Sequence, residues 1–197
     1  MVIHDVEQGS DIWLGLRKGR MTASHAQAIG ANGAGLKTYI HEVVAEYLSC
    51  GEVEQFTNKH IERGNELEPI ARNIYELSTG NKVEEVGFIE HSDYVGCSPD
   101  GLIGEDGGLE IKCPADKTYL YLLLNKKIKS DYDWQIQMNL LITGREWWDY
   151  MAYNPNFKQD KVIIRVYPDK AKHEKLLDGF KEGETLIKNI LERIKLC

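Results

Sequence analysis

The stretch Cys97-Ser98-Pro99-Asp100-Gly101-Leu102-Ile103-Gly104-Glu105-Asp106-Gly107-Gly108-Leu109-Glu110-Ile111-Lys112-Cys113-Pro114 decides how the rest of the chain is read. Runs 101–103 and 109–113 flank the five-residue turn Gly104–Gly108, a hairpin signal. Pro114 ends the second run because it cannot donate to a strand ladder. Side chains alternate along a strand, so Glu110 and Lys112 share one face and Ile111 points to the other. Pairing Ile103 with Leu109 sets Asp100 opposite Lys112 and Leu102 opposite Glu110. Asp100, Glu110 and Lys112 then converge on one side of the hairpin, with the Ile111 carbonyl close by.

Two carboxylates and a backbone oxygen suit a hard cation such as Mg²⁺, which keeps several of its waters. The Lys112 ammonium beside them can hold an attacking water or stabilise charge building on a phosphate. A cation-activated water next to a phosphodiester means hydrolysis. Glu-x-Lys alone is common on solvated hairpins; its combination with Pro-Asp and a glycine turn, in register, favours a site.

Outward from the hairpin, apolar periodicity predicts helices over 36–48 and 61–78. Pro69 is expected to kink the second or to sit in its first turn, and Gly80 to cap it. Segments 82–91 and 94–97 read as strands before the hairpin. After it come helices over 117–127 and 131–143, strands over 147–153 and 161–167, and one long helix or two over 169–196. This order predicts an α+β domain with a central mixed β-sheet flanked by helices. Thr22 or Ser24 is placed to cap a helix leading to Ile29.

The 197 residues suit one domain. No apolar run approaches the ~20 residues of a membrane span, and Met1–Asp5 lacks the basic and apolar regions of a signal peptide. The expectation is a cytoplasmic protein with no membrane partner. Cysteines 50, 97, 113 and 197 show no CxxC spacing and read as reduced thiols. The six histidines show no zinc-hydrolase spacing, and no phosphate-binding GxxxxGK[ST] occurs. With 24 basic and 31 acidic residues the net charge is −7, which excludes a histone-like binder but not a localised basic groove. Lys126, Lys127 and Lys129 are candidates for a DNA backbone or for a solvated loop. Trp147 and Trp148 are expected in the core.

Pro99-Asp100 followed by Glu110-Ile111-Lys112 resembles the PD-(D/E)XK nuclease signature. The fuller string Cys-Ser-Pro-Asp-Gly-Leu … Gly-Leu-Glu-Ile-Lys-Cys-Pro is similar to the phage lambda exonuclease and YqaJ-type viral recombinase branch, and the similarity runs from about Trp13 to Tyr167. The resemblance implies a restriction-endonuclease-like core and a single nuclease domain. Its parts would be a helical 5′-phosphate-binding region over about 1–57, a catalytic core over about 58–167 and a C-terminal helix over 169–196.

The same resemblance aligns Glu68, in Arg63-Gly-Asn-Glu66-Leu-Glu68, with a helix-borne acidic residue that completes the metal cluster, with Glu66 as a competitor two residues away. Gln137, in Trp134-Gln135-Ile136-Gln137, matches an active-site glutamine. Arg17, Ser24 and Ser98 would bind a terminal 5′-phosphate. Implied are two Mg²⁺ ions, held by Asp100, Glu110, the Ile111 carbonyl and Glu68, with Mn²⁺ as a substitute. The implied activity is 5′-to-3′ degradation of one strand of linear double-stranded DNA. It yields mononucleotides and a 3′ single-stranded tail for phage recombination, from a homotrimer ring that works with a single-strand annealing recombinase. Two alternatives are an endonuclease on the same core, of restriction or junction-resolving type, and an inactive DNA-binding module.

Overall fold

The structure is a computed structural model that describes residues 1–50 and 59–195. Cys197 and the proposed boundary near residue 57 lie outside the described residues. The chain runs β1 (Val2–His4), α1 (Asp11–Arg17), β2 (Met21–Thr22), a 3-10 turn (Ala23–His25), α2 (Ala26–Ala31) and α3 (Ala34–Leu48). It continues with α4 (Lys59–Thr79), β3 (Phe88–Ser92), β4 (Val95–Cys97), β5 (Gly101–Ile103) and β6 (Gly107–Lys112). Last come α5 (Asp116–Asn125), α6 (Ser130–Thr143), β7 (Trp147–Tyr153), β8 (Lys161–Val166) and α7 (Lys170–Lys195).

The expected single central sheet is two mixed four-stranded sheets, ordered β1-β3-β4-β2 and β5-β6-β7-β8. Glu84, in the segment that leads into β3, makes a single antiparallel bridge to Leu102 of the second sheet. The first sheet is built partly from strands of two and three residues, too short to show an alternating pattern. Segment 82–87 is not a strand. Glu84 alone pairs with Leu102, and Gly87 lies so close to Val6 that a Cβ there would stand 2.2 Å from the Val6 carbonyl oxygen.

The hairpin is tighter than expected. Ile103 pairs with Gly107, Leu102 with Gly108 and Gly101 with Leu109, so the turn is three residues, Gly104–Asp106. Gly104 takes a positive φ of 52°, which a side chain rarely adopts. Gly107 and Gly108 are in the strand rather than the turn because the rings of Trp147 and Trp148 lie over them; a Cβ would meet those rings at 2.2 and 2.3 Å. The register differs by two residues from the expected one. A shift of two, unlike a shift of one, leaves every side chain on its original face, so the convergence of Asp100, Glu110 and Lys112 survives.

Each face of the β5–β8 sheet meets a different helix layer. Leu109, Ile111, Met151 and Tyr153 pack with Ala71 and Tyr75 of α4. Trp148, Tyr150 and Ala152 belong to the larger core with Ile136, Met138 and Leu140 of α6, which extends to α2, α3 and α7. Helix α7 is a single helix whose Gly179 and Gly183 lie flush against Ile29 and Met21, where a Cβ would stand 2.1 and 2.4 Å from the nearest atom. Ser24 does not cap a helix. It lies inside the 3-10 turn, and α2 begins at Ala26 behind His25 without a side-chain cap. Cys50, Cys97 and Cys113 are free thiols. Among the described residues no helix is long and apolar enough to cross a membrane.

Candidate active site

Asp100 precedes β5, and three contacts fix it there. Gln8 Nε2 donates to the Pro99 carbonyl at 3.0 Å and to that of Val86 at 2.9 Å. Leu102 exchanges two 2.8 Å backbone bonds with Glu84. The Ile111 N–H donates to Asp100 Oδ2 at 2.6 Å, which draws the Asp100 carboxyl against β6. Glu110, fully buried on β6, forms an ion pair with Lys112 through Oε1. Asn139 Nδ2 of α6 donates to its Oε2 at 3.3 Å.

Glu68 approaches from α4. Pro69 sits inside that helix rather than in its first turn. It has no N–H, so the carbonyl of Asn65 lacks its intrahelical donor beside Glu68. Arg72 Nη2 donates to Glu68 Oε1 at 2.7 Å, and its Nη1 reaches Glu85 at 2.8 Å.

These carboxyls are electrostatically under-compensated. Burial and then the charge of Asp100 push Glu110 up to about 8. Burial and then Asp100 push Glu68 up to about 7, against the pull of Arg72 and Lys112. Burial also raises Asp100, although Lys112 and the Ile111 N–H oppose it. Burial disfavours the charge on Lys112, but Glu110 and Asp100 outweigh that and raise it. Three acids thus share the Lys112 ammonium and an Arg72 guanidinium that is also paired with Glu85. Glu66 is exposed and stands apart from this set, which separates it from Glu68.

Among the described residues no three His, Cys, Asp or Glu side chains stand close enough to cage an ion by themselves. The donor set still fits Mg²⁺, an ion that uses one or two carboxylates and retains waters. Asp100 and Glu110 would hold it, with Glu68 at the edge and the Ile111 backbone alongside. A divalent charge would offset the burial that raises all three carboxyls and the like-charge repulsion that adds to it at Glu68 and Glu110.

Two grooves meet at this cluster and share Asn65 and Glu68 in their walls. One, of about 1070 Å³, runs from Asp100, Glu68 and Arg72 to Trp13 and Arg17. At its far end Arg17 lies over the Trp13 ring, 4.3 Å from the centroid, and its Nη1 donates to Ser98 Oγ at 3.3 Å. Ser98 Oγ also accepts from Trp13 Nε1 at 3.0 Å. Arg17 and Ser98 are therefore brought together, two residues along the chain from Asp100. The Ser24 hydroxyl is engaged by Thr22 Oγ1 and His25 Nδ1, each at 3.2 Å. Those bonds do not bring it to the Arg17–Ser98 pair; burial lowers the pKa of His25, with Glu42 opposing and Arg17 adding to the shift.

Gln137 is not brought to the carboxylates. Its Nε2 donates to the Tyr167 carbonyl at 2.9 Å and its Oε1 accepts from the Asp169 N–H at 2.8 Å, tying α6 to the entry of α7. Residues two apart on a helix point about 200° from one another, whereas residues three or four apart are neighbours. Tyr132, Gln135 and Asn139 therefore share the face that looks onto Glu110, and Gln137 faces away. Sequence reasoning missed Asn139 and Tyr132. The four-residue spacing from Gln135, in the Trp134–Gln137 stretch already singled out, was the signal that could have found Asn139.

A mixed sheet carrying Pro99-Asp100 on one strand entry and Glu110-x-Lys112 on its hairpin partner is the PD-(D/E)XK architecture. The profile of the YqaJ-like viral recombinase domain matches residues 12–146, well over half of the chain, and the protein belongs to that family. The crystal structure of an alkaline exonuclease, LHK-Exo from Laribacter hongkongensis, is similar at a TM-score of 0.83 and 31% identity, covering 95% of this chain and 100% of its own. The same enzyme in complex with dAMP matches equally well. A phage-related exonuclease from Haemophilus somnus 129PT shares the fold at a TM-score of 0.70 and 13% identity, over 89% of this chain and 96% of its own. An uncharacterised protein of Acanthamoeba polyphaga mimivirus, R354, is 30% identical over 113 residues. That match takes in 54% of this chain but only 20% of the viral protein's length.

Proposed function

We propose that this protein is a Mg²⁺-dependent deoxyribonuclease that shortens one strand of linear double-stranded DNA from its 5′ end. It releases mononucleotides and leaves a 3′ single-stranded tail. The observation that carries this reading is the groove joining two sites of different chemistry. Asp100 and Glu68, which adjoin the Glu110–Lys112 pair, line one end, and Arg17, bonded to Ser98, lines the other. An anchor for a terminal phosphate at a fixed reach from a hydrolytic centre measures a product from the end of a strand. A guanidinium backed by a hydroxyl is suited to that anchor.

Mg²⁺, when bound, supplies Lewis acidity to the scissile phosphate and lowers the pKa of a water. The chain's own residues do the rest. Asp100 and Glu110 hold oxygen donors on one side of the sheet, and the Ile111 N–H and Asn139 fix their orientation. Lys112 offers its ammonium to the charge that grows on the phosphate. Glu68, restrained by Arg72, is placed to orient a water. Arg17 and Ser98 hold the terminal phosphate. The resemblance to the family supports Mn²⁺ as a substitute, a homotrimer ring, an annealing recombinase as partner and a cytoplasmic setting; in a ring, topology would retain DNA on a chain of net charge −7.

Purified protein with Mg²⁺, given linear duplexes with 5′-phosphate or 5′-hydroxyl ends and a closed circle, tests the proposal. The 5′-phosphorylated duplex should be degraded fastest, the circle should stay intact, and EDTA should stop all cleavage. A nicked or linearised circle would replace this reading with the endonuclease, and binding without any cleavage with the inactive module.

A further inference from the structure

The second groove, about 560 Å³, leaves the carboxylate cluster on the side away from Arg17. Its walls are Gly64, Asn65 and Glu68 of α4, Ile111–Ala115, Thr118 of α5, and Lys129 and Tyr132 at the start of α6. Its floor is braced, since Arg63 Nη1 donates to the carbonyls of Cys113 at 2.6 Å and Pro114 at 3.1 Å. Asn154 Nδ2 adds a 3.1 Å bond to Pro114.

Charge divides the two grooves. Asp5, Glu7, Glu68, Glu85 and Asp100 line the first against Arg17 and Arg72. In the second, Glu68 stands against Lys112 and Lys129. A polyanion is repelled along the first groove except where Arg17 offers a single point of attachment, and is accepted along the second. Tyr132 adds an aromatic surface. It is stacked on Tyr150 with centroids 6.0 Å apart, and the Lys129 and Lys112 ammoniums lie 5.7 and 5.4 Å from its ring centre. A cationic wall with a partly exposed ring is the combination that tracks a single nucleic-acid strand. Of the three lysines in the 126–129 run, only Lys129 lines this groove.

Resting on the nuclease reading, we infer that the Lys129–Tyr132 groove holds the retained part of the cleaved strand. Lys129 contacts a backbone phosphate on the 3′ side of the scissile bond, and the Tyr132 ring lies against the adjoining base. The Arg17 groove then takes the nucleotide that leaves and this one the strand that stays.

The test measures binding of a duplex in EDTA, so that nothing is cut, across a range of salt concentrations. Lys129→Gln should weaken binding and lower the slope of log K against log salt by about one, the signature of one lost phosphate contact. It should do so equally for 5′-phosphate and 5′-hydroxyl ends. Lys127→Gln, outside the groove, should leave the slope unchanged. Tyr132→Leu should weaken binding about tenfold while Tyr132→Phe does not. That loss should vanish on a duplex whose base next to the scissile bond, on the 3′ side, is replaced by an abasic residue. An unchanged slope for Lys129→Gln, or a Tyr132→Leu penalty that persists on the abasic duplex, overturns the inference. If the parent cuts linear duplex with Mg²⁺, such a failure falls on the inference alone. If the parent fails to cut while these binding effects appear, the groove stands as a binding site and the nuclease reading falls.

Discussion

The β5–β8 sheet buries an acidic side chain on each face, and the two are treated in opposite ways. On the α4 face, Asp149 is 2% exposed and fully matched. Arg165, its direct cross-strand neighbour, donates to Oδ1 and Oδ2 at 2.8 and 2.9 Å, and the Tyr75 hydroxyl donates to Oδ2 at 2.7 Å. Asn81 reaches the same hydroxyl at 3.2 Å, and Arg165 is stacked 3.6 Å from the Trp147 ring centre. On the α6 face, Glu110 shares the Lys112 ammonium with Asp100, Glu68 reaches in from α4 paired with an Arg72 that Glu85 also holds, and burial still raises all three carboxyls. A buried acid whose partners saturate it holds a structure together; buried acids left short of positive charge are kept for something that binds.

The same substitution at both positions separates these roles. Asp100→Asn should cut hydrolysis about 10³-fold or more, because the oxygen donor charge for the cation is lost. The amide oxygen can still accept from the Ile111 N–H, and a like-charge clash disappears, so chemical denaturation should show stability equal to the parent or higher. Asp149→Asn should do the reverse. Its charge-assisted bonds to Arg165 and the Tyr75 donor are disrupted, at a cost of about 2 kcal/mol in urea unfolding, while the rate per folded molecule stays within about twofold. A stability loss at Asp100 larger than at Asp149 would erase the distinction between the two faces.

The site was legible where one strand period carried it. Glu110 and Lys112 are two residues apart, and any even register brings Asp100 to their side, so even a hairpin paired two residues away from the observed one gave the right convergence. The register itself was not legible, because it depends on Trp147 and Trp148 lying over Gly107 and Gly108, a contact between strands separated by two helices. The order of α3 to α7 was legible from apolar spacing, whereas α1, a seven-residue helix with no buried residue, left no such pattern. The division into two sheets was not, since β1 and β2 contribute only three and two residues and owe their pairing to β3 and β4. The Asp149–Arg165 pair left no trace in local sequence, being a cross-strand match 16 residues apart.

A smaller effect is expected at the far end of the first groove. Arg17 is partly buried against Trp13 and, among the described residues, its guanidinium is hydrogen-bonded to a neutral hydroxyl and no carboxylate, with burial lowering its pKa, so it resembles the α6 face in holding unspent capacity. Arg17→Ala should reduce the preference for 5′-phosphate over 5′-hydroxyl ends about tenfold, the effect of one charge-assisted contact of about 1.4 kcal/mol. Cleavage of 5′-hydroxyl ends should change little. Equal losses on both ends would make Arg17 a general support for α1 rather than an anchor.

The smallest effect separates two glutamines on one helix. Gln137 has both ends of its amide satisfied by Tyr167 and Asp169, as Asp149 has its oxygens satisfied. Gln135 falls, by helical spacing, on the same side of α6 as Tyr132 and Asn139, the side that carries the contact to Glu110. Gln137→Met keeps the length and apolar stem but leaves a buried carbonyl and N–H without partners. It should cost about 1 kcal/mol in urea unfolding and leave the rate per folded molecule unchanged. Gln135→Met should leave stability within about 0.5 kcal/mol and lower the rate about tenfold, about 1.4 kcal/mol in the barrier. If Gln137→Met instead slows cleavage with stability intact, α6 presents its other face to the substrate, and the contact between Asn139 and Glu110 no longer marks the catalytic side.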